Sequence, residues 1–252
     1  EIAYCVHIGT NSRPLAAFPA GGPDGRPLAV TLLGDPLGDA RATIDVPAAA
    51  GTFEYYGDAP SPLLLRSSPF PNVLEDPLAG ETRAESLPVA LNGILEKPGD
   101  GDAFRVSARK GERVVVRVFA AALGSPIDPV IRIRSIDATG APGPAVLEAD
   151  DATPVERDIF GTRFRGGGGL RDLYDPSVVW EPTTDGDHLI EILDNEGSGG
   201  PTAVYRIEIA PPPDALHTLL MSTAHDWLEC PRTGGLALPQ GGRWTVNVSL
   251  PE

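Results

Sequence analysis

The sequence predicts an all-β protein: tandem antiparallel β-sandwiches with a partial third β unit behind them. Three observations carry that prediction. Apolar and polar residues alternate with a period of two, as in Ile131 and Ile133 against Arg132 and Arg134, or Tyr205, Ile207 and Ile209 against Arg206 and Glu208. Such runs mark sheets with one buried and one wet face. The 29 glycines and 27 prolines are interspersed among these runs, so they read as frequent tight turns between short strands. No long amphipathic helical pattern occurs anywhere.

Taken in order, residues 1–75 read as a first sandwich, with strands at 2–8, 29–35, 42–47, 52–57 and 62–68. FPAGGPDGRP (18–27) reads as a connector, since Pro presets φ and Gly supplies positive φ. Residues 76–87 read as a linker, polar and without clean periodicity, in which ETRAES (81–86) forms one helical turn at most. A second sandwich spans 88–210, with strands at 88–95, 103–108, 112–121, 129–136, 144–149, 177–182, 187–194 and 203–210. Within it, 99–118 reads as a half-buried antiparallel hairpin: Phe104 and Val106 line one strand, and Val114, Val116 and Val118 the next. Residues 152–176, with Gly166 to Gly169 in a row, form a long interrupting loop. Residues 211–252 begin a further β unit or a pairing arm, with strands at 215–223 and 243–250; these few residues are too short for a sandwich core of their own.

Charge narrows the partners. The formal net charge is −15, lysine occurs only at Lys97 and Lys110, and no basic cluster exists, which argues against nucleic acid. No apolar run approaches the roughly 20 residues of a membrane-spanning helix, so no membrane insertion is expected. The chain starts at Glu1 without Met and enters a strand-like run, the expectation being a processed product or a fragment. Cys5 and Cys230 lie near opposite ends and are either bridged or free, because distant spacing carries no connectivity.

Two segments resemble known families. PAGG (19–22) followed by VTLLGD (30–35) is similar to the opening of immunoglobulin-like domains of the transcription-factor-immunoglobulin (TIG) type. Residues 88–210 resemble the bacterial pre-peptidase C-terminal domain family. The matching stretches are NGIL (92–95), GDGDAFRV (99–106), KGERVVVRV (110–118), SPIDPVIRI (125–133), LEADD (147–151), DGDHLIEILD (185–194) and GGPTAVYRIEI (199–209). His188 stands where that family usually has an aromatic residue. The resemblances imply an immunoglobulin-like first sandwich and a jelly-roll-like second one. They further imply a non-catalytic module of a large secreted bacterial protein, with calcium bound in some relatives where the entry linker meets the first hairpin.

The chemistry-bearing residues follow from this. Hard cations need several clustered oxygens. Glu75 and Asp76 where the linker begins and Asp100 and Asp102 in the hairpin mouth form one candidate Ca²⁺ set; Glu148, Asp150 and Asp151 form a second. The alternative for each set is turn capping, which Asp performs readily. The linker departs from the family's E-x-E-P-N-D pattern, with Leu78 and Ala79 where Asn and Asp would supply ligands. Catalysis has no sequence support. There is no G-x-S-x-G and no HExxH, and His225-Asp226 is only a sequence neighbour pair. Neither GGGG (166–169) nor GSGGP (197–201) sits between strand and helix as a phosphate loop would. Trp180, Trp227 and Trp244 are either a sugar-stacking platform or core packing.

The expectation is a non-enzymatic structural or binding segment of a larger secreted, periplasmic or cell-surface protein. It would space or present other domains of its parent, or assemble with copies of itself. The alternative is an accessory module for polysaccharide or protein, Ca²⁺-dependent or not; a hydrolase is the distant third.

Overall fold

The structure is a computed structural model that describes residues 8–151 and 174–212. The expected strands at 215–223 and 243–250, most of the strand at 2–8, the glycine run, both cysteines, Trp227 and Trp244 lie outside the described residues. Within them the chain is all-β, with a single 3₁₀ turn at Ala121–Leu123 and no α-helix.

The N-terminal strands are β1 (Ala16–Phe18), β2 (Gly21–Pro23), β3 (Pro27–Leu33), β4 (Ala40–Asp45), β5 (Gly51–Tyr55) and β6 (Leu63–Ser68). They form two three-stranded sheets, ordered β1-β3-β4 and β2-β6-β5. Ala17, Val30, Ile44, Leu63 and Leu65 pack between them. The 18–27 connector thus contains strand β2 and part of β1. Gly21 permits this, because a Cβ there would collide with the Arg66 carbonyl oxygen of the partner strand.

The larger sandwich comprises β7 (Asn72–Leu74), β8 (Thr82–Ala84), β9 (Val89–Ile94), β10 (Gly101–Ala108), β11 (Val114–Phe119), β12 (Pro129–Ile136), β13 (Pro142–Ala149), β14 (Ser177–Trp180), β15 (Gly186–Asp194) and β16 (Val204–Ala210). Its two five-stranded sheets run β13-β12-β15-β10-β8 and β14-β11-β16-β9-β7. Their facing sides enclose one core that includes Leu91, Phe104, Val106, Val116, Val118, Ile131, Ile133, Ile190, Ile192, Ile207 and Ile209.

Three expectations are corrected. The linker at 76–87 contributes β8, and the segment before it contributes β7. Ala84 enters the core, and each strand adds to a sheet edge by parallel pairing, β7 to β9 and β8 to β10. ETRAES is accordingly strand, not a helical turn. Residues 99–118 are not a hairpin, because β10 and β11 belong to opposite sheets. Period-two burial is the same for a hairpin and for an arch whose two strands face each other across a core, and Phe104 and Val116 are both fully buried in that way. Finally, Arg206 and Glu208 do not lie on a wet face; both are buried.

That last difference reflects how the two sandwiches meet. Arg206 is fully buried, and its guanidinium reaches Glu208 Oε1 (2.9 Å), Asn72 Oδ1 (2.7 Å), Asn92 Oδ1 (3.3 Å) and Ser68 Oγ (2.7 Å). Ser68 ends β6 of the smaller sandwich, whereas the other partners lie on β7, β9 and β16 of the larger one. Arg66 of β6 lies 3.5 Å from Glu208 and stacks over the Phe119 ring at 4.4 Å. Beside this network Ala16, Ala20 and Leu33 pack against Phe119, Leu123 and Val204.

Candidate metal centre

Three acidic side chains converge at one end of the larger sandwich: Glu75, Glu96 and Asp102, each offering a carboxylate oxygen within 4.8 Å of the others. They come from separate segments. Glu75 immediately follows β7, and its N–H donates to the Asn92 carbonyl of β9 (2.8 Å). Glu96 lies in the turn after β9. Asp102 is on β10 and shares the inward parity of Phe104 and Val106.

The surroundings hold these groups in place. The Tyr205 hydroxyl, on a fully buried ring of β16, donates to Asp102 Oδ2 (2.6 Å). That ring meets Phe104 edge-on, with centroids 6.4 Å apart. The Ile94 N–H donates to Glu75 Oε2 (3.0 Å). Between them sits Gly93 of the NGIL stretch. A Cβ there would collide with the Tyr205 hydroxyl and with Glu75 Oε2, so the absence of a side chain is what lets the carboxylates approach the tyrosine.

The electrostatics of the cluster are those of crowded acids. Burial first, then the nearby carboxylates, push Glu75 up to about 8 against the pull of the Ile94 N–H. Burial also raises Glu96, assisted by Asp100. Asp102 is raised by burial although Tyr205 and Glu75 donate hydrogen bonds to it. The Tyr205 hydroxyl is raised well above its ordinary value by its own burial and by the Asp102 charge. Like charges this close disfavour one another's ionisation, so the cluster favours protons or a cation. An all-oxygen carboxylate donor set suits a hard divalent cation such as Ca²⁺; Glu75, Glu96 and Asp102 would hold it.

The first expected set, Glu75, Asp76, Asp100 and Asp102, is therefore half gathered. Asp76 is exposed and caps a turn, its Oδ1 accepting the Leu78 N–H (3.0 Å). Asp100 also clips a turn: its Oδ2 accepts the Glu96 N–H (2.9 Å), and Lys97 Nζ lies 4.0 Å away. It positions Glu96, which the sequence reading missed. The available signal was local: in EKPGDGD an acid stands on each side of a Pro-Gly turn, so the turn returns them toward one another. Leu78, at 96% exposure, supplies nothing to the centre.

The second set is not gathered into a centre among the described residues. Glu148 is exposed and bonded to Arg132 Nε (2.7 Å), its cross-strand neighbour on β12, which satisfies the carboxylate locally. Asp150 is exposed, and neither it nor Asp151 joins a cluster of metal-ligating groups among the described residues. Trp180 is no sugar platform. It is 3% exposed and packs edge-on against His188, with centroids 4.9 Å apart.

No family model matches the chain, and no curated protein matches it in sequence. Solved structures do. The pre-peptidase C-terminal domain of collagenase from Bacillus anthracis is 10% identical, with 54% of this chain and 99% of that one covered and a TM-score of 0.33. The periplasmic inhibitor of g-type lysozyme from Aeromonas hydrophila is 11% identical over 55% of this chain and 98% of that one, with a TM-score of 0.29. The surface-associated copper-binding protein of Methylomicrobium album is 12% identical over 57% of this chain and 98% of that one, with a TM-score of 0.30. The chain is thus similar, over little more than half its length, to nearly the whole of each of these β-sandwich-type proteins.

Proposed function

We propose that this chain is a non-catalytic structural and binding segment of a secreted or envelope protein, whose entry strands are fastened by a bound Ca²⁺ ion. The observation that carries the cation is the convergence of Glu75, Glu96 and Asp102 within 4.8 Å. The carboxylates come from the end of β7, the β9–β10 turn and β10. A cation there ties the strand that leaves the smaller sandwich to both sheets of the larger one. Its contribution is mechanical: it fixes the angle at which one sandwich follows the other and resists fraying of β7. The cluster lies where the entry strand joins the larger sandwich, which supports a spacing, presenting or binding role.

The test is thermal unfolding of the full chain at pH 8 after EDTA treatment, then with Ca²⁺ restored. A rise in midpoint with Ca²⁺ that is absent in Glu75→Gln and Asp102→Asn is the expected result. An unchanged midpoint in millimolar Ca²⁺, with no heat of binding by calorimetry, would remove the cation from the proposal.

A further inference from the structure

The smaller sandwich carries a sheet edge that lacks the usual obstacles to a further strand. β4 (Ala40–Asp45) ends the sheet β1-β3-β4, and among the described residues only β3 pairs with it. Exposed edges are ordinarily blunted by shortness, proline, a bulge or lysine. β1, β2, β7 and β8 are three residues each. β13 contains Pro142 and Pro144 and is irregular in register. β14 is four residues long and lies between Pro176 and Pro182. β5 carries a single charge, Glu54, and no basic residue to meet it in a second copy. β4, six residues long, has no proline, lysine or register shift, and its two charges are of opposite sign: Arg41 and Asp45.

The β3–β4 ladder fixes which backbone groups of β4 are free. Asp45 stands opposite Pro27, which has no N–H, and the next residue, Val46, donates its N–H to the Arg26 carbonyl (3.2 Å). Asp45 therefore occupies a non-hydrogen-bonded position against β3. Alternation extends this to Thr43, opposite Ala29, and to Arg41, opposite Thr31. The N–H and C=O groups of Arg41, Thr43 and Asp45 thus point to the open edge. Their side chains share the exposed face, while Ala42 and Ile44 pack inward. Among the described residues neither Arg41 nor Asp45 makes an ion pair or a side-chain hydrogen bond.

This edge is complementary to itself. In an antiparallel pair centred on Thr43, Arg41 of one copy stands opposite Asp45 of the other, twice over, and Thr43 stands opposite its own equivalent. Each of these pairs exchanges two N–H···O bonds, because the groups facing the open edge belong to those three residues. The side chains that meet on the outer face are opposite charges and two threonines, both favourable cross-strand pairs. Centring instead on Arg41 or on Asp45 sets like charges opposite one another, which is unfavourable. The net charge of −15 on each copy opposes association through an acidic face, whereas β4 is locally neutral. We infer that β4 pairs with β4 of a second copy about a two-fold axis at Thr43, joining the two β1-β3-β4 sheets into one. This names the partner in the structural and binding role proposed above and rests on that reading, though not on the cation.

The test is sedimentation equilibrium of the full chain with EDTA present, at protein concentrations up to about 0.5 mM, where a dimer with a Kd of about 10–100 μM is well populated. The Ca²⁺ melting response is measured on the same samples, so either proposal can fail while the other stands. Arg41→Glu and Asp45→Arg each set like charges opposite one another, and each should weaken the dimer about tenfold or more. Mixing those two variants pairs Glu at 41 with Arg at 45, and Asp45 with Arg41, so a heterodimer should form from two chains that do not dimerise alone. Thr43→Pro removes an N–H that faces the open edge, a place where a strand tolerates proline; it should yield a monomer with an unchanged circular dichroism spectrum. Three results would overturn the inference: a wild-type chain that stays monomeric throughout, a dimer that persists undiminished in Arg41→Glu or Thr43→Pro, or a mixture of the two charge variants that recovers no dimer.

Discussion

Replacing Arg206 with methionine tests whether the two sandwiches are held together by one polar network. Methionine is unbranched and retains much of the arginine stem's volume, so the change is mainly the loss of the guanidinium. In the native chain burial pulls the Arg206 pKa down, and Glu208 offsets this by favouring the charged form. Removing the cation strands the buried Glu208 carboxylate, 7% exposed. It also removes the donor serving Asn72, Asn92 and Ser68. Breaking a buried ion pair from one side costs about 3–5 kcal/mol. Arg66, 3.5 Å from Glu208, still neutralises part of the charge, which places the expectation at the lower end, about 3 kcal/mol. For a structure of this size that corresponds to a fall in Tm of roughly 6–12 °C. Chemical denaturation monitored by circular dichroism gives the free energy directly. Ser68→Ala should cost less, and its effect should shrink in the Arg206→Met background, since both act through one network. A loss under about 1 kcal/mol for Arg206→Met, or full additivity with Ser68→Ala, would refute this account of the junction.

Other expectations follow from single sites. Glu75 has a folded pKa raised to about 8 from 4.5. The stability tied to its protonated form is therefore complete below about pH 4.5 and lost as pH rises through about 8; EDTA-treated protein should melt lower at pH 9 than at pH 6, and Ca²⁺ should restore more at the higher pH, read by calorimetric melting. Gly93→Ala should lower Tm and abolish any Ca²⁺ response, because the added methyl displaces Tyr205 and Glu75; an unchanged Ca²⁺ affinity by titration calorimetry would count against the cradle. His188 is buried against Trp180, and burial lowers its pKa below 6.5. Its contribution is thus present above pH 6.5 and lost as pH falls through the folded value; His188→Phe should flatten the stability profile between pH 5 and 7 in urea titrations.

The strands were legible because most of them alternate cleanly over a buried face: β12 and β15 were placed to within a residue of their bounds. What the pattern could not supply was partnership. Phe104, Val106, Val114 and Val116 alternate identically whether β10 and β11 pair side by side or face each other across a core, and only the three-dimensional structure separates the two. The short edge strands were missed for another reason. β2 is Gly-Gly-Pro and β8 is Thr-Arg-Ala, so neither has the β-branched run that marks a strand; each is held by parallel pairing to a neighbour. At the candidate site Glu75 and Asp102 were identifiable by type and place, whereas Glu96 depended on the turn that folds it back.

The buried polar groups of this protein divide by whether the chain answers its own charges. Around Arg206 every guanidinium nitrogen finds an oxygen of the protein, and the acceptors come from both sandwiches, so the network needs nothing from outside and serves as a joint. Around Glu75 the chain gathers three carboxylates and supplies two hydrogen-bond donors, the Tyr205 hydroxyl and the Ile94 N–H, but no cation. Arg105 and Arg83, the basic residues on β10 and β8, are engaged by Glu81 and Asp187 on the outer face of the sheet. A fold that sets Arg83, Arg105 and Arg206 against carboxylates, and gathers Glu75, Glu96 and Asp102 without a basic partner among the described residues, has a charge deficit at one defined place. Protons meet it at low pH, and a divalent cation meets it better as those protons leave. The pH dependence of the Ca²⁺ response is therefore the sharper discriminator: a fortuitous acidic surface would bind weakly and with little dependence near pH 8, whereas this cluster should bind more tightly as pH rises through the Glu75 pKa of about 8.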